Sequence, residues 1–314
     1  MNAQADLIVS ADRVTKRFAD IAAVDGLSIT VKRGEIFGLV GPDGAGKTTT
    51  MRMLAGVMPP DAGSIIVDGV DIVADPEEGK QHISYMPQRF GLYEDLTVEE
   101  NIRFYADLFE VAARVRDERA QRLLAASGMS QFRSRLAGQL SGGMKQKLGL
   151  TCALVHTPKI LLLDEPTTGV DPLSRRDFWR ILYGLREDGV TILITTAYLD
   201  EAERCNRLAL LHGGRVLYCE TPAALKERMP GTLVVISSPE GRQVRSTIAD
   251  LAGVSNVILV GDGVHAVVDD AAMRIPQLCG TLRKAKVAFA DIVTGEPSIE
   301  DVFVALLENS GEPQ

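Results

Sequence analysis

Residues 41–48 read Gly41-Pro42-Asp43-Gly44-Ala45-Gly46-Lys47-Thr48, a full match to G-x-x-x-x-G-K-[ST]. Ahead of them, Ile36-Phe37-Gly38-Leu39-Val40 is a short apolar run with the length of a buried strand. Behind them, Thr49 to Ala55 continues without a helix breaker. A strand, a glycine-rich loop and a helix in that order make an anion cradle. The glycines let backbone N–H groups curl round a phosphate, and the helix N-terminus adds unpaired donors and a partial positive charge. Lys47 then has the reach for β- and γ-phosphates, and the Thr48 hydroxyl suits Mg²⁺.

Two further stretches carry chemistry. Ile160-Leu161-Leu162-Leu163-Asp164-Glu165 reads as a buried parallel strand with two carboxylates at its C-terminal end, where ligands bind in open α/β sheets. One carboxylate there can hold Mg²⁺ through water, and the next can polarise an attacking water. Leu140-Ser141-Gly142-Gly143-Met144 opens a helix to Leu154 and offers a second anion site at a helix N-terminus, or an ordinary helix entry.

The remaining chain frames these motifs. Strands are predicted at 7–11 and 27–31, with Phe18 in a polar turn between them, either stacking on a nucleotide base or folded back onto the core. A turn at 59–63 precedes a strand read over 64–72 that ends in an Asp-Gly turn (Asp68-Gly69), and another strand covers 82–86. Residues 97–155 are predicted helical, with Thr97-Val98-Glu99-Glu100 as a capping box. A helix after Asp171-Pro172 puts Phe178, Trp179, Ile181, Leu182 and Leu185 in the core. It is followed by a buried strand at 190–196, a helix from Tyr198 to Cys205 and a hairpin through His212-Gly213-Gly214. Beyond Thr221-Pro222 the texture changes to a small α+β segment with strands at 233–236, 256–260 and 264–268. Its last helix follows Pro297-Ser298, with Ile299, Val302, Phe303, Leu306 and Leu307 on one face, and the tail 309–314 is expected to fray. His265 reads as a strand residue.

The 314 residues exceed one average domain. A net charge of −8 argues against a large nucleic-acid face. No apolar run approaches the roughly 20 residues of a membrane span, and residues 1–6 lack a signal peptide's basic and apolar regions. Cys152, Cys205, Cys219 and Cys279 have no metal spacing and are expected as single thiols of a cytosolic protein.

In this order the motifs resemble the nucleotide-binding subunit of an ATP-binding cassette (ABC) transporter. Residues 41–48 resemble Walker A, Gln88 the Q-loop glutamine, 140–144 the LSGGQ signature, 160–165 Walker B and Gly169-Val170-Asp171 the D-loop. The resemblance implies an α/β P-loop NTPase of the ABC type: a mixed sheet core, an antiparallel β subdomain and a helical subdomain. It implies an ATP-binding domain over 1–225, helical at about 90–155, and a C-terminal accessory α+β domain over 226–314. It also implies ATP hydrolysis coupled to export through a separate transmembrane permease, with the chain peripheral on the inner membrane face. By match, Gly41, Pro42, Asp43, Gly44, Ala45, Gly46, Lys47, Thr48 and Thr49 cradle the phosphates. Phe18 stacks on adenine, Thr48, Gln88 and Asp164 serve Mg²⁺, and Glu165 polarises the water. Gln88 and Lys47 assist catalysis. Ser141, Gly142 and Gly143 act in trans on the ATP of a second cassette.

Three positions depart from the family pattern. Ala197 stands where a switch histidine is usual, and a methyl group cannot donate a hydrogen bond to a γ-phosphate. Asp43 replaces Asn or Ser beside the triphosphate, and Met144 replaces the signature Gln. The phrases at 41–48 and 195–203 look similar to N-terminal halves of tandem exporter ATPases, which makes a non-identical partner cassette the expected one. Two alternatives stand beside export: a degenerate, regulatory ATP-binding cassette, and a soluble ABC protein of DNA repair or translation. The second usually carries coiled coils, zinc motifs or basic linkers, none of which is read here.

Overall fold

The computed structural model describes residues 6–261 and 263–310. It divides into two compact units, one of residues up to 198 plus 205–219, the other of 199–204 plus 220 onwards.

The first unit opens with a long antiparallel hairpin, β1 (Leu7–Phe18) and β2 (Ile21–Lys32). Both strands run well past the expected segments. Phe18 is the last residue of β1, paired with Ile21, rather than part of the turn. The phosphate loop follows β3 (Ile36–Val40) and starts α1 (Lys47–Leu54). Next come β4 (Ala62–Val67) and β5 (Val70–Asp71), joined by Asp68-Gly69. Both turn residues have positive φ, 49° and 87°, as the hairpin turn requires. A short helix, α2 (Pro76–His82), leads into β6 (Ile83–Met86). The sequence reading missed α2 because it is polar along its length, although Asp75 caps it and Pro76 sits in its first turn.

The helical region holds α3 (Val98–Leu108), α4 (Ala113–Ala126) and α5 (Gly142–Leu154). The capping box is present: Thr97 Oγ1 accepts from Glu100 N, and the Glu100 carboxylate accepts from Thr97 N. Val98, Ile102, Ala106, Leu124, Leu148 and Cys152 form the core of this region. Then come β7 (Ile160–Asp164), α6 (Pro172–Glu187), β8 (Thr191–Thr196), the one-turn α7 (Leu199–Ala202), β9 (Arg207–His212) and β10 (Arg215–Glu220). Helix α7 is shorter than the 198–205 expected.

The central sheet runs β10-β9-β3-β8-β7-β6, with β9, β3, β8, β7 and β6 parallel; a second sheet runs β2-β1-β4-β5, with antiparallel pairs. Alternate side chains of the central strands serve two cores. Phe37, Leu39, Ile160, Leu162 and Leu193 pack into a core shared with the antiparallel sheet and α1. Ile36, Leu161, Leu163, Ile192 and Ile194 pack with Phe178, Trp179 and Leu182 of α6. Burial on both faces is why these strands read as unbroken apolar runs.

The second unit takes in α7 and contains α8 (Pro222–Lys226), β11 (Thr232–Ser237), α9 (Gly241–Ile248), β12 (Val254–Val260), β13 (Gly263–Val268), α10 (Ala271–Lys284), β14 (Asp291–Thr294) and α11 (Ile299–Ser310). Its antiparallel sheet has the order β12-β13-β11-β14. Ile299, Val302 and Phe303 of α11 are buried; Asn309 and Ser310, expected in the tail, belong to α11, while the Leu307 side chain and residues 311–314 lie outside what the structure describes. The Asp301 carboxylate, 1% exposed, accepts from Ser298 N and Oγ and lies 2.8 Å from His265 Nδ1. His265 is thus a strand residue pinning α11. Among the described residues no helix is long and apolar enough to cross a membrane.

Candidate nucleotide site

The loop between β3 and α1 folds as its glycines dictate. Gly46 has φ 97°, and a Cβ there would stand 2.4 Å from the Ala23 carbonyl oxygen, so the position excludes every side chain. The loop wraps the Lys47 ammonium, which donates to the carbonyl oxygens of Gly41 (2.8 Å) and Pro42 (3.0 Å). It also lies 3.2 Å from Glu165 Oε1. The side chain is 4% exposed, so its charge is held where water cannot screen it fully.

Parallel pairing brings the acidic groups to the loop. Strand β7 lies two places from β3, with β8 between them, and Asp164 is in register with Thr195. Asp164 Oδ1 accepts from Thr195 Oγ1 at 2.7 Å and from Thr48 Oγ1 at 3.1 Å; Oδ2 accepts from Tyr85 OH at 3.2 Å. Burial first, and then the Asp164 charge, push the Tyr85 phenol up to about 12, which keeps it a donor. Glu165 takes a left-handed backbone, φ 48°, a conformation costing about 1 kcal/mol or more outside glycine. Its N–H donates to Thr195 Oγ1 at 2.8 Å. Its Oε2 accepts from Gln88 Nε2 at 3.1 Å and Thr168 Oγ1 at 3.4 Å.

One open cleft of about 480 Å³ is lined by Phe18, Ala23, Asp43, Gly44, Ala45, Gly46, Lys47, Thr48, Thr49, Gln88 and Glu165. Gly41, Pro42 and Asp164 are not among the lining residues and join the site through their bonds to Lys47 and Thr48. Phe18 stands 46% exposed on this cleft, not folded into the core. Ser141, Gly142 and Gly143 are not among the lining residues. Ser141 caps α5, its hydroxyl accepting from Met144 N. Ala197 is exposed in the bend after β8 and lines no part of the cleft.

Sequence reasoning missed Thr195 and Tyr85. A hydroxyl following the apolar run Ile192-Leu193-Ile194 was the available signal for the first. Tyr85 gave none beyond its place three residues before Gln88.

A phosphate loop on the central strand of a parallel sheet, with a carboxylate pair at the next strand but one, defines a P-loop nucleotide-binding protein. The family model described as "ABC transporter" matches residues 24–168. The chain is 44% identical over 314 residues to the "Probable multidrug ABC transporter ATP-binding protein YbhF" of Escherichia coli (strain K12). That match covers 98% of this chain but spans only 53% of YbhF. It is 38% identical over 296 residues to the "Nod factor export ATP-binding protein I" of Burkholderia thailandensis, covering 94% of this chain and 95% of that protein. Among solved structures it resembles the "Dimeric Structure of MJ0796, a Bacterial ABC Transporter Cassette", with TM-score 0.62 and 27% identity, over 68% of this chain and 98% of that one. The chain belongs to the ATP-binding cassettes of ABC transporters, a family of ATPases.

Proposed function

We propose that this chain binds Mg·ATP in the cleft, hydrolyses it with a second cassette closed over it, and powers export through a separate transmembrane permease. The observation that carries this is the convergence of Lys47, Thr48, Gln88 and Glu165 on one cleft that Phe18 also lines, with Asp164 bonded to Thr48. A triphosphate entering the loop exchanges the Gly41 and Pro42 carbonyls for its own oxygens on Lys47, and Phe18 offers a face for the adenine. The donor set suits Mg²⁺: a hydroxyl, a carboxylate and an amide are hard oxygen ligands, and the ion keeps its remaining positions for phosphate and water. The bound ion would neutralise phosphate charge. Glu165, aimed by Gln88 and Thr168, is the group that orients the attacking water. Phosphoryl transfer is mainly positioning and charge stabilisation, so each donor matters.

The signature residues Ser141, Gly142 and Gly143 cap a helix away from the cleft, which supports their acting on the partner's ATP. The dimeric cassette among the structural relatives points the same way. The words "multidrug" and "export" in the relatives' names support the export direction; the separate permease and the peripheral place on the inner membrane face are part of the proposal, carried by the family resemblance. Nucleic acid is not proposed as a partner. The accessory domain is assigned to 226–314 and the helical subdomain to about 90–155. Ala197 favours a non-identical partner cassette. A match spanning about half of YbhF supports the likeness to one cassette of a tandem exporter ATPase. Ala197 also favours a second reading, a regulatory cassette that binds ATP but barely turns it over.

Steady-state hydrolysis by the purified chain, with Glu165→Gln as the blank, separates the two. Turnover above the blank supports a self-pairing ATPase. Bound ATP without turnover means that a partner completes the site, and addition of a histidine-bearing cassette should then restore hydrolysis. Failure to do so leaves the regulatory reading.

A further inference from the structure

We infer that Thr195 is the positioning residue that sets both acidic groups of the site; the inference rests on the Mg·ATP reading above. Thr195 is fully buried in β8, between β3, which leads into the phosphate loop, and β7, which ends in the two acids. A hydroxyl has one proton to give, and here it goes to Asp164 Oδ1 at 2.7 Å. The oxygen then accepts the Glu165 N–H at 2.8 Å. One side chain therefore holds the carboxylate behind Thr48 and the peptide that leads into Glu165. That peptide needs holding. Glu165 has a left-handed backbone that a non-glycine residue keeps only where its surroundings impose it.

Burial alone does not call for a hydroxyl here. A valine would fill the same volume, and the preceding residues of β8 are Ile192, Leu193 and Ile194. Nor is the hydroxyl satisfied locally, as a strand threonine can be, because its bonds reach Asp164 at the end of β7 and Glu165 just beyond it. Two residues on, in the bend after β8, stands Ala197, whose methyl group can orient nothing. Thr195 orders the acids from behind, within the chain itself.

The test uses the full chain with ATP and Mn²⁺ as the spectroscopic probe, read by electron paramagnetic resonance. Thr195→Val should weaken ATP-dependent Mn²⁺ binding by about tenfold or more, the usual cost of losing a residue that orients a metal ligand. Metal-free ATP affinity should be unchanged, and Thr195→Ser should restore Mn²⁺ binding. Thr195→Cys, a poorer donor of similar size, replaces the valine variant if that one does not fold. Mn²⁺ binding by Thr195→Val at the unaltered level overturns the inference. So does an equal loss of metal-free ATP affinity, which would mark a merely structural role, or failure of serine to restore binding. Absence of ATP binding by the unaltered chain overturns the site reading together with the inference.

Discussion

Lys47 and Glu165 meet at 3.2 Å, the ammonium also held by the Gly41 and Pro42 carbonyls and the carboxylate by Gln88. The loop that presents Lys47 tolerates no side chain at Gly46, where a Cβ would lie 2.4 Å from the Ala23 carbonyl at φ 97°. Gly46→Ala should therefore lower ATP affinity by roughly five- to a hundredfold, because about 1–3 kcal/mol of backbone strain must be relieved by moving the loop. Calorimetric titration with Mg·ATP measures this, and unchanged affinity would show that the loop can shift without cost. The residues that announce themselves in sequence are those with fixed spacing along the chain, such as Gly41, Gly46, Lys47 and Thr48. Thr195 and Tyr85 act through neighbours on other strands, and spacing along one segment carries no trace of that.

At the scale of elements, β3, β7 and β8 were legible because burial on both faces forces unbroken apolar runs. Helices α2, α9 and α10 and strand β14 were not. Helix α2 has no apolar period, α10 carries Pro276 in its interior, and β14 is four residues long with one buried side chain. Just beyond α5, His156 stacks on Phe109 with ring centroids 3.8 Å apart. Burial, with Arg119 adding to it, pushes this imidazole down to about 4 from its ordinary 6.5. The unfolded chain then binds a proton that the folded chain refuses. Stability is whole above pH 6.5 and falls as the pH drops toward 4, by at most about 1.4 kcal/mol per unit. Urea unfolding of the natural chain and His156→Gln at pH 7 and pH 5 checks this. The stability gap between them should narrow by about 1–2 kcal/mol at pH 5, and parallel curves would contradict it.

For the whole molecule, the proposed partner rests on two helix starts that lie apart. The loop at 41–48 has its own cleft, while Ser141-Gly142-Gly143 caps α5 outside it. On this account each waits for its complement on a second cassette, and ATP closes the pair. Ala197 then decides how well an identical pair works. If the missing histidine limits turnover, Ala197→His should raise the rate of the chain acting alone by about tenfold or more, the scale of one donor added to a phosphoryl-transfer site. An unchanged rate in a chain that binds ATP would place the limitation elsewhere.

The most direct test of the central claim is equilibrium binding of Mg·ATP to the chain and to Lys47→Ala. The account predicts saturable binding by the natural chain, weakened by removal of Mg²⁺ with a chelator and lost in the variant. A natural chain that binds no ATP, or a Lys47→Ala variant that binds it equally well, would contradict it.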